Sequence, residues 1–218
     1  MTVTVYKLDG SPSCRTVNMV VELIGLETES KIIRPLCGDT MTPEYLEKNP
    51  LHTIPIIEDD DFILADSHAI IKYLVSKYGA DKGASLYPSD LRIRATVDQR
   101  LFFDATTLFM RFRDIMATIR QNATTVAPQL AANVEEAYGF LETYLRKSKY
   151  LATDYVTIAD VAAVSTVSTL DLLVPIGDNN PKLREWFEGL QEQEWYKKGN
   201  VDFDVMSYGV HLLYLVCE

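Results

Sequence analysis

The sequence predicts two domains, an α/β unit built on a four-stranded mixed sheet and, after it, an all-helical unit. Three observations predict this. The first eighty residues mix short strand-like runs with helical ones, everything after about residue 88 shows helical periodicity, and the segment between is rich in turn formers. The boundaries that follow are 1–80 for the α/β domain, 81–88 for a linker and 89–218 for the helical domain.

VTVYKLD at 3–9 alternates apolar and polar positions as a half-buried strand does, and Val17, Val20, Val21 and Ile24 then recur at helical spacing. KIIRPL at 31–36 reads as a second strand, Pro43 to Lys48 as a short helix, and IPIIED at 54–59 as a third strand. FILAD at 62–66 follows after only Asp59, Asp60 and Asp61, which predicts an antiparallel hairpin. Ser67 to Tyr78 closes the unit as a helix. The order β-α-β, short helix, β-β-α is that of a thioredoxin-like domain. GADKGASLYPSD, with Gly79, Gly83 and Pro88, has the composition of a linker. Amphipathic stretches at 89–120, 129–147, 157–174 and 182–193 then build the helical half. Within it, Thr157-Ile-Ala-Asp160 ahead of an apolar run carries a capping-box signature, which predicts a structural role for Asp160.

With 218 residues, 47% of them apolar, the chain can bury a substantial core. A formal charge of −10 argues against nucleic acid, whose phosphates require clustered Lys and Arg, and leaves a small molecule as the expected partner. Cys14, Cys37 and Cys217 are too few and scattered for a disulfide framework, and with three histidines they offer no metal-ligand spacing. No metal is expected. MTVTVYKLDG lacks both a basic and an apolar leader region, and no apolar run approaches ~18 residues, so the expectation is a cytoplasmic protein without a membrane span.

The first strand runs directly into Gly10-Ser11-Pro12-Ser13-Cys14-Arg15, so Ser11 sits where a sheet's carboxyl edge meets a helix N-terminus. Unpaired amides and the helix dipole make such a place suit an anion, although Ser11 or Ser13 could equally serve as a plain helix cap. The register Ser11-x-x-Cys14 replaces the first cysteine of a C-x-x-C redox motif with a hydroxyl. That hydroxyl cannot exchange disulfides, but it can donate a hydrogen bond to a thiolate brought in by a ligand. Cys14 stands where the resolving cysteine would be, which disfavours a thiol oxidoreductase.

S-x-x-C-R after the first strand, NPLHTIPII at 49–57, LADSHAII at 64–71 and the Thr157–Asp160 box occur in the order in which the glutathione transferase superfamily carries them. Over nearly its whole length the chain resembles the cytosolic insect delta and epsilon classes, epsilon more than delta. The resemblance implies that Ser11 activates the glutathione sulfur and that His52 contacts the glycine end. Thr53 belongs to the same glutathione-binding string, and Ile54 is the backbone clamp that pairs with the tripeptide like an added strand. Pro55 matches the proline that is cis in this superfamily. Asp66 and Ser67 match the pair that receives the γ-glutamyl amine and carboxylate, and His68 stands where delta enzymes often have arginine. One departure is Thr40 in Gly38-Asp-Thr-Met-Thr-Pro-Glu44, where the family often has a histidine that touches glutathione, which leaves two expectations, a modestly lower glutathione affinity or a glycine end carried by His52 alone.

The implied activity is conjugation of reduced glutathione, as co-substrate, to hydrophobic electrophiles in detoxification. Hydroperoxide reduction and dehydrohalogenation are further reactions open to the same thiolate. Electrophile contacts are expected from Leu108, Phe109, Arg111, Phe112 and Met116, with Phe109, Phe112 and Met116 at helical spacing, and from Phe203, Met206 and Tyr208 near the C-terminus. A homodimer is implied as well. The alternative is a non-catalytic carrier of lipophilic ligands on the same fold, motivated by Thr40 and His68.

Overall fold

The computed structural model of the chain describes residues 2–200. Among them are two compact units, residues 2–80 together with 194–200, and residues 81–193.

In the first unit the strands are β1 (Val3–Lys7), β2 (Thr28–Ile32), β3 (Ile56–Asp59) and β4 (Phe62–Ala65), ordered β2-β1-β3-β4 in one sheet. β1 runs parallel to β2, with Val3 opposite Thr28, and antiparallel to β3, while β3 and β4 form the antiparallel hairpin across the acidic turn. The sheet is therefore mixed. β2 lies earlier than the periodicity of KIIRPL suggests, because Pro35 opens a 3-10 turn, Pro35–Cys37, and the pairing with β1 runs instead along the polar Thr28–Ile32.

Helix α1 (Pro12–Ile24) starts on a proline and stops at Gly25, whose φ of 71° is the left-handed conformation that a side chain resists. It packs against α3 (Ser67–Tyr78). Tyr6 of β1 and Ile56 of β3 instead pack with Tyr45 of the short helix α2 (Pro43–Lys48). The segment expected to be a linker contains a helix, α4 (Ala80–Leu86), since Ala, Lys, Ser and Leu tolerate helical geometry and Leu86 is buried.

The chain returns to the first unit as α10 (Glu194–Gly199), a short helix that periodicity did not single out. It packs on α1 so closely that a Cβ on Gly199 would lie 2.6 Å from the Met19 Cα. Next to this contact the fully buried Arg15 donates to the Asn200 side-chain carbonyl at 2.8 Å. Burial pulls the Arg15 guanidinium down to about 10.

The regular secondary structure described in the second unit is all helical. The stretch expected as one helix over 89–120 is α5 (Leu91–Phe103), a wider π-type turn over Asp104–Leu108, and α6 (Phe109–Ile119). Thr106 at this turn donates to the Phe102 carbonyl at 2.7 Å, a side-chain bond that competes with regular backbone pairing. α7 (Pro128–Leu145), the almost wholly buried α8 (Ile158–Leu173) and α9 (Pro181–Gln191) complete the unit.

The capping box at the start of α8 forms as the sequence predicts. Buried Asp160 accepts from Thr157 N at 2.9 Å and Thr157 Oγ1 at 3.0 Å, and also from Leu151 N at 2.9 Å and Trp186 Nε1 at 3.0 Å. One carboxylate thus ties a loop, a helix start and α9 together. Buried Glu142 of α7 does the same for the start of α9, accepting from Lys182 N and Leu183 N at 2.8 and 3.0 Å.

Candidate functional site

Ser11 is the N-cap residue of α1, with extended backbone angles of −79° and 126°. Its N–H donates to the Leu8 carbonyl at 2.9 Å and its own carbonyl accepts the first helical bond from Arg15 N at 3.0 Å. Its hydroxyl makes no capping bond. The plain-cap alternative for Ser11 therefore has no bond to carry it, and the amides of the first turn remain without an intrahelical acceptor. One turn on, the Cys14 sulfur receives Leu8 N–H at 3.5 Å. Cys14 is a buried, free thiol, and burial pushes it up to about 11, which makes it a poor redox or nucleophilic group at neutral pH.

The second element of the site is the turn that leads into β3. His52 adopts φ 47°, in the left-handed region, and is exposed, with its N–H bonded to the Asn49 carbonyl at 2.9 Å. Buried Asn49 holds this turn, donating to the Thr53 carbonyl at 2.9 Å and to Thr53 Oγ1 at 3.1 Å while accepting Leu51 N–H at 3.2 Å. Tyr45 adds a third bond, from its hydroxyl to the Thr53 carbonyl at 2.7 Å. Neither Tyr45 nor Asn49, although Asn49 opens the 49–57 string, was given a role from sequence. The signal was an asparagine ahead of a proline and a tyrosine on a short helix, both of which read as ordinary turn and surface residues.

The Ile54–Pro55 peptide is cis. Ile54 lies just before β3 and outside its ladder with β1 and β4, so its backbone has no strand partner. The third element is the start of α3. Asp66 has φ 77° and ψ 117°, a backbone conformation costly for any residue with a Cβ, and of the kind that concentrates at functional sites. Its Oδ1 accepts Ala69 N–H at 3.0 Å while the rest of the carboxylate is exposed. Ser67 is buried in the first turn, and half-buried His68 brings its Nδ1 to 3.9 Å from Asp66 Oδ1. Thr40 is buried within a 3-10 turn, Asp39–Met41.

β1 with α1, the turn before β3, and β4 with α3 thus contribute one element each, all within the first unit. Together they present an uncapped helix start, an unpaired edge of backbone and an exposed carboxylate beside a second helix start. That set suits a short peptide with a soft anionic sulfur, an extended backbone and an ammonium-carboxylate end.

In the second unit Leu108 is fully buried and Phe112 and Met116 nearly so, which makes them part of that unit's core. Phe109 is half-buried with its ring 5.8 Å from that of Phe112, and half-buried Arg111 pairs with Glu136 at 3.4 Å. Phe203, Met206 and Tyr208 lie outside the described residues. Among the described residues no group of three or more His, Cys, Asp or Glu could hold a metal ion, and no helix is long and apolar enough to cross a membrane.

Residues 5–82 match the N-terminal domain of glutathione S-transferases and residues 97–194 match the C-terminal domain. The chain is 43% identical over 204 residues to glutathione S-transferase 1 of Manduca sexta, covering 92% of this chain and 93% of that protein. Among solved structures it superposes on an epsilon-class glutathione S-transferase from the housefly, Musca domestica, with a TM-score of 0.91, 38% identity and 97% of each chain covered. A glutathione transferase homolog from Drosophila mojavensis, solved with bound glutathione, gives a TM-score of 0.91 at 35% identity, again over 97% of each chain.

Proposed function

The chain belongs to the glutathione S-transferase family, and from that membership we propose that it conjugates the thiolate of reduced glutathione to hydrophobic electrophiles, as a detoxifying enzyme. The observation that carries the proposal is the Ser11 hydroxyl, which stands at the start of α1 without capping it.

The chemistry has two parts. Glutathione's thiol has an ordinary value of ~8.5, so at pH 7 only about a few per cent is nucleophilic. A hydrogen bond to a charged sulfur contributes ~1.5 to 3 kcal/mol and a helix N-terminus ~0.3 to 1, together about 1 to 3 pKa units, and thiolate predominates at pH 7 once the shift exceeds about 1.5. Ser11 acts as the donor to that charge and stays protonated. The thiolate then attacks the electrophile, forming a carbon–sulfur bond as the leaving group departs with its electron pair. Hydroperoxide reduction and dehydrohalogenation are further reactions proposed for the same thiolate.

Around Ser11, the proposed glutathione contacts are His52 and Thr53 at the glycine end, the Ile54 backbone with cis Pro55 along the cysteinyl residue, and Asp66, Ser67 and His68 at the γ-glutamyl end. The exposed part of Asp66, the buried hydroxyl of Ser67 and the unladdered backbone of Ile54 support these roles. Residues 1–80 form the proposed glutathione-binding domain, 81–88 its connection, and 89–218 the domain that contributes electrophile contacts. Of those contacts, half-buried Phe109 and Arg111 offer accessible surface, and buried Leu108, Phe112 and Met116 back them.

A homodimer in the cytoplasm completes the proposal. Adduct formation with a chromogenic aryl halide tests it. Ser11→Ala is expected to lower kcat/KM at pH 7 by about 10- to 100-fold, from the hydrogen-bond magnitude above. Unchanged turnover would defeat the assignment.

A further inference from the structure

Tyr45 is a buried side chain to which the reaction described above gives no task, and its hydroxyl donates to the Thr53 carbonyl at 2.7 Å. The same carbonyl accepts from Asn49 Nδ2 at 2.9 Å, so both of its lone pairs are engaged by the protein. Helix α2, which carries Tyr45, is itself fastened. Thr42 Oγ1 caps its start by accepting Tyr45 N–H at 3.3 Å, and Lys48 at its end reaches Glu58 of β3 at 2.5 Å and the Tyr6 hydroxyl at 3.1 Å. The Tyr45 ring packs with Tyr6 and Ile56, and Ile54 packs against that cluster. Burial pushes the phenol above its ordinary value, so the hydroxyl keeps its proton and remains a donor.

A peptide unit is planar, and in its trans form the carbonyl and the N–H point in opposite directions. The Thr53–Ile54 peptide is trans, the cis bond being the next one along. Two donors that fix the Thr53 carbonyl therefore fix the Ile54 N–H as well, aiming it away from α2. That N–H makes no backbone hydrogen bond among the described residues. We propose that Tyr45 is a positioning residue for glutathione: its hydroxyl, together with Asn49, sets the plane of the Thr53–Ile54 peptide so that the Ile54 N–H meets the cysteinyl carbonyl of the ligand. Accepting two hydrogen bonds also polarises that peptide, which makes its N–H a stronger donor. Tyr45 is a cleaner probe of this than Asn49, because Asn49 also holds Thr53 Oγ1 and Leu51 N–H, and its loss would open the turn. The proposal rests on the reading of Ile54 as the backbone clamp of a glutathione site.

The test compares the native enzyme with Tyr45→Phe, which keeps the ring in its cluster and leaves the Thr53 carbonyl one donor in Asn49. Titration calorimetry measures the binding of glutathione and of an analogue whose cysteinyl carbonyl is reduced to a methylene. Tyr45→Phe is expected to weaken glutathione about 3- to 10-fold, the size of one neutral hydrogen bond, and to change the analogue by less than about twofold. The analogue has no oxygen there for the Ile54 N–H to meet. In steady state the same factor should appear in KM for glutathione, with kcat near native. Equal weakening of both ligands, or of neither, overturns the proposal and leaves the clamp standing. A native enzyme that binds glutathione and the analogue equally sinks the clamp, and this proposal with it.

A second measurement needs no analogue. With isoleucine labelled by nitrogen-15 and glutathione at saturation, the Ile54 amide proton is expected to move downfield on binding, as a proton entering a hydrogen bond does. In Tyr45→Phe that movement should be smaller, because the amide is less well aimed and less polarised. A movement of equal size in the two proteins overturns the proposal.

Discussion

Asp66 does two things at once, and the two can be separated by substitution. Its Oδ1 caps α3 through Ala69 N–H, while its exposed part is proposed to meet the ammonium of glutathione. Asp66→Asn keeps a side-chain oxygen for the cap and removes the charge, so KM for glutathione should rise with little change in Tm. Asp66→Ala loses both, and urea unfolding should show an additional loss of ~1 kcal/mol. Equal Tm values for the two variants would deny the capping role. At this scale the sequence was informative wherever a residue type suits the proposed chemistry, as a hydroxyl does at Ser11 and a carboxylate at Asp66. It was silent about Asn49 and Tyr45, because holding the Thr53 carbonyl is a matter of where two side chains meet in space, and neither residue type announces such a bond.

Between elements, buried carboxylates act as fasteners. Asp160→Ala would strand the Leu151 amide, the Thr157 amide and hydroxyl, and the Trp186 indole N–H. Allowing for partial relaxation, chemical denaturation should show a loss of about 3 kcal/mol, while activity per folded molecule stays near native. Asp59 similarly joins β3 to α3, accepting from Tyr73 OH at 2.6 Å, Lys77 Nζ at 2.7 Å and Tyr78 OH at 2.8 Å. Burial pushes its carboxyl up, but those three donors outweigh it and hold the group below its usual value. A depressed folded value means that the stabilisation is complete above the ordinary carboxylate range of ~4 and is lost as pH falls through the folded value. Asp59→Asn should therefore flatten the decline of Tm on the acid side, and an unchanged acid limb would refute this account. The elements that periodicity located well, β1, α2, α3 and α8, bury one face or are buried throughout. Those it misplaced lack that pattern: β2 is an exposed edge of polar residues, α4 looks like a turn by composition, and α10 has six residues held by a glycine against α1.

For the whole molecule, the proposed homodimer is the property that size measurement checks. The chain leaves Leu51, Leu91 and Phe102 largely exposed, and association would remove such surface from water. Size-exclusion chromatography with light scattering should give the mass of two chains, and a single-chain mass at micromolar concentration would overturn the expectation. Two features of this protein were determined by its sequence alone: the α/β-then-helical order, because hydrophobic periodicity records which face of each element is buried, and the hydroxyl at position 11, because it replaces a redox sulfur in a recognisable register. Tertiary structure alone decided how the start of α1 that carries it is held. The turn from β1 into α1 bonds the Ser11 amide to the Leu8 carbonyl and the Leu8 amide to the Cys14 sulfur, and Asn200, just past α10, accepts from Arg15 of α1 across 185 residues of sequence. Contacts set by chain folding between positions distant in sequence leave no periodic trace, so they become legible only once the elements have packed.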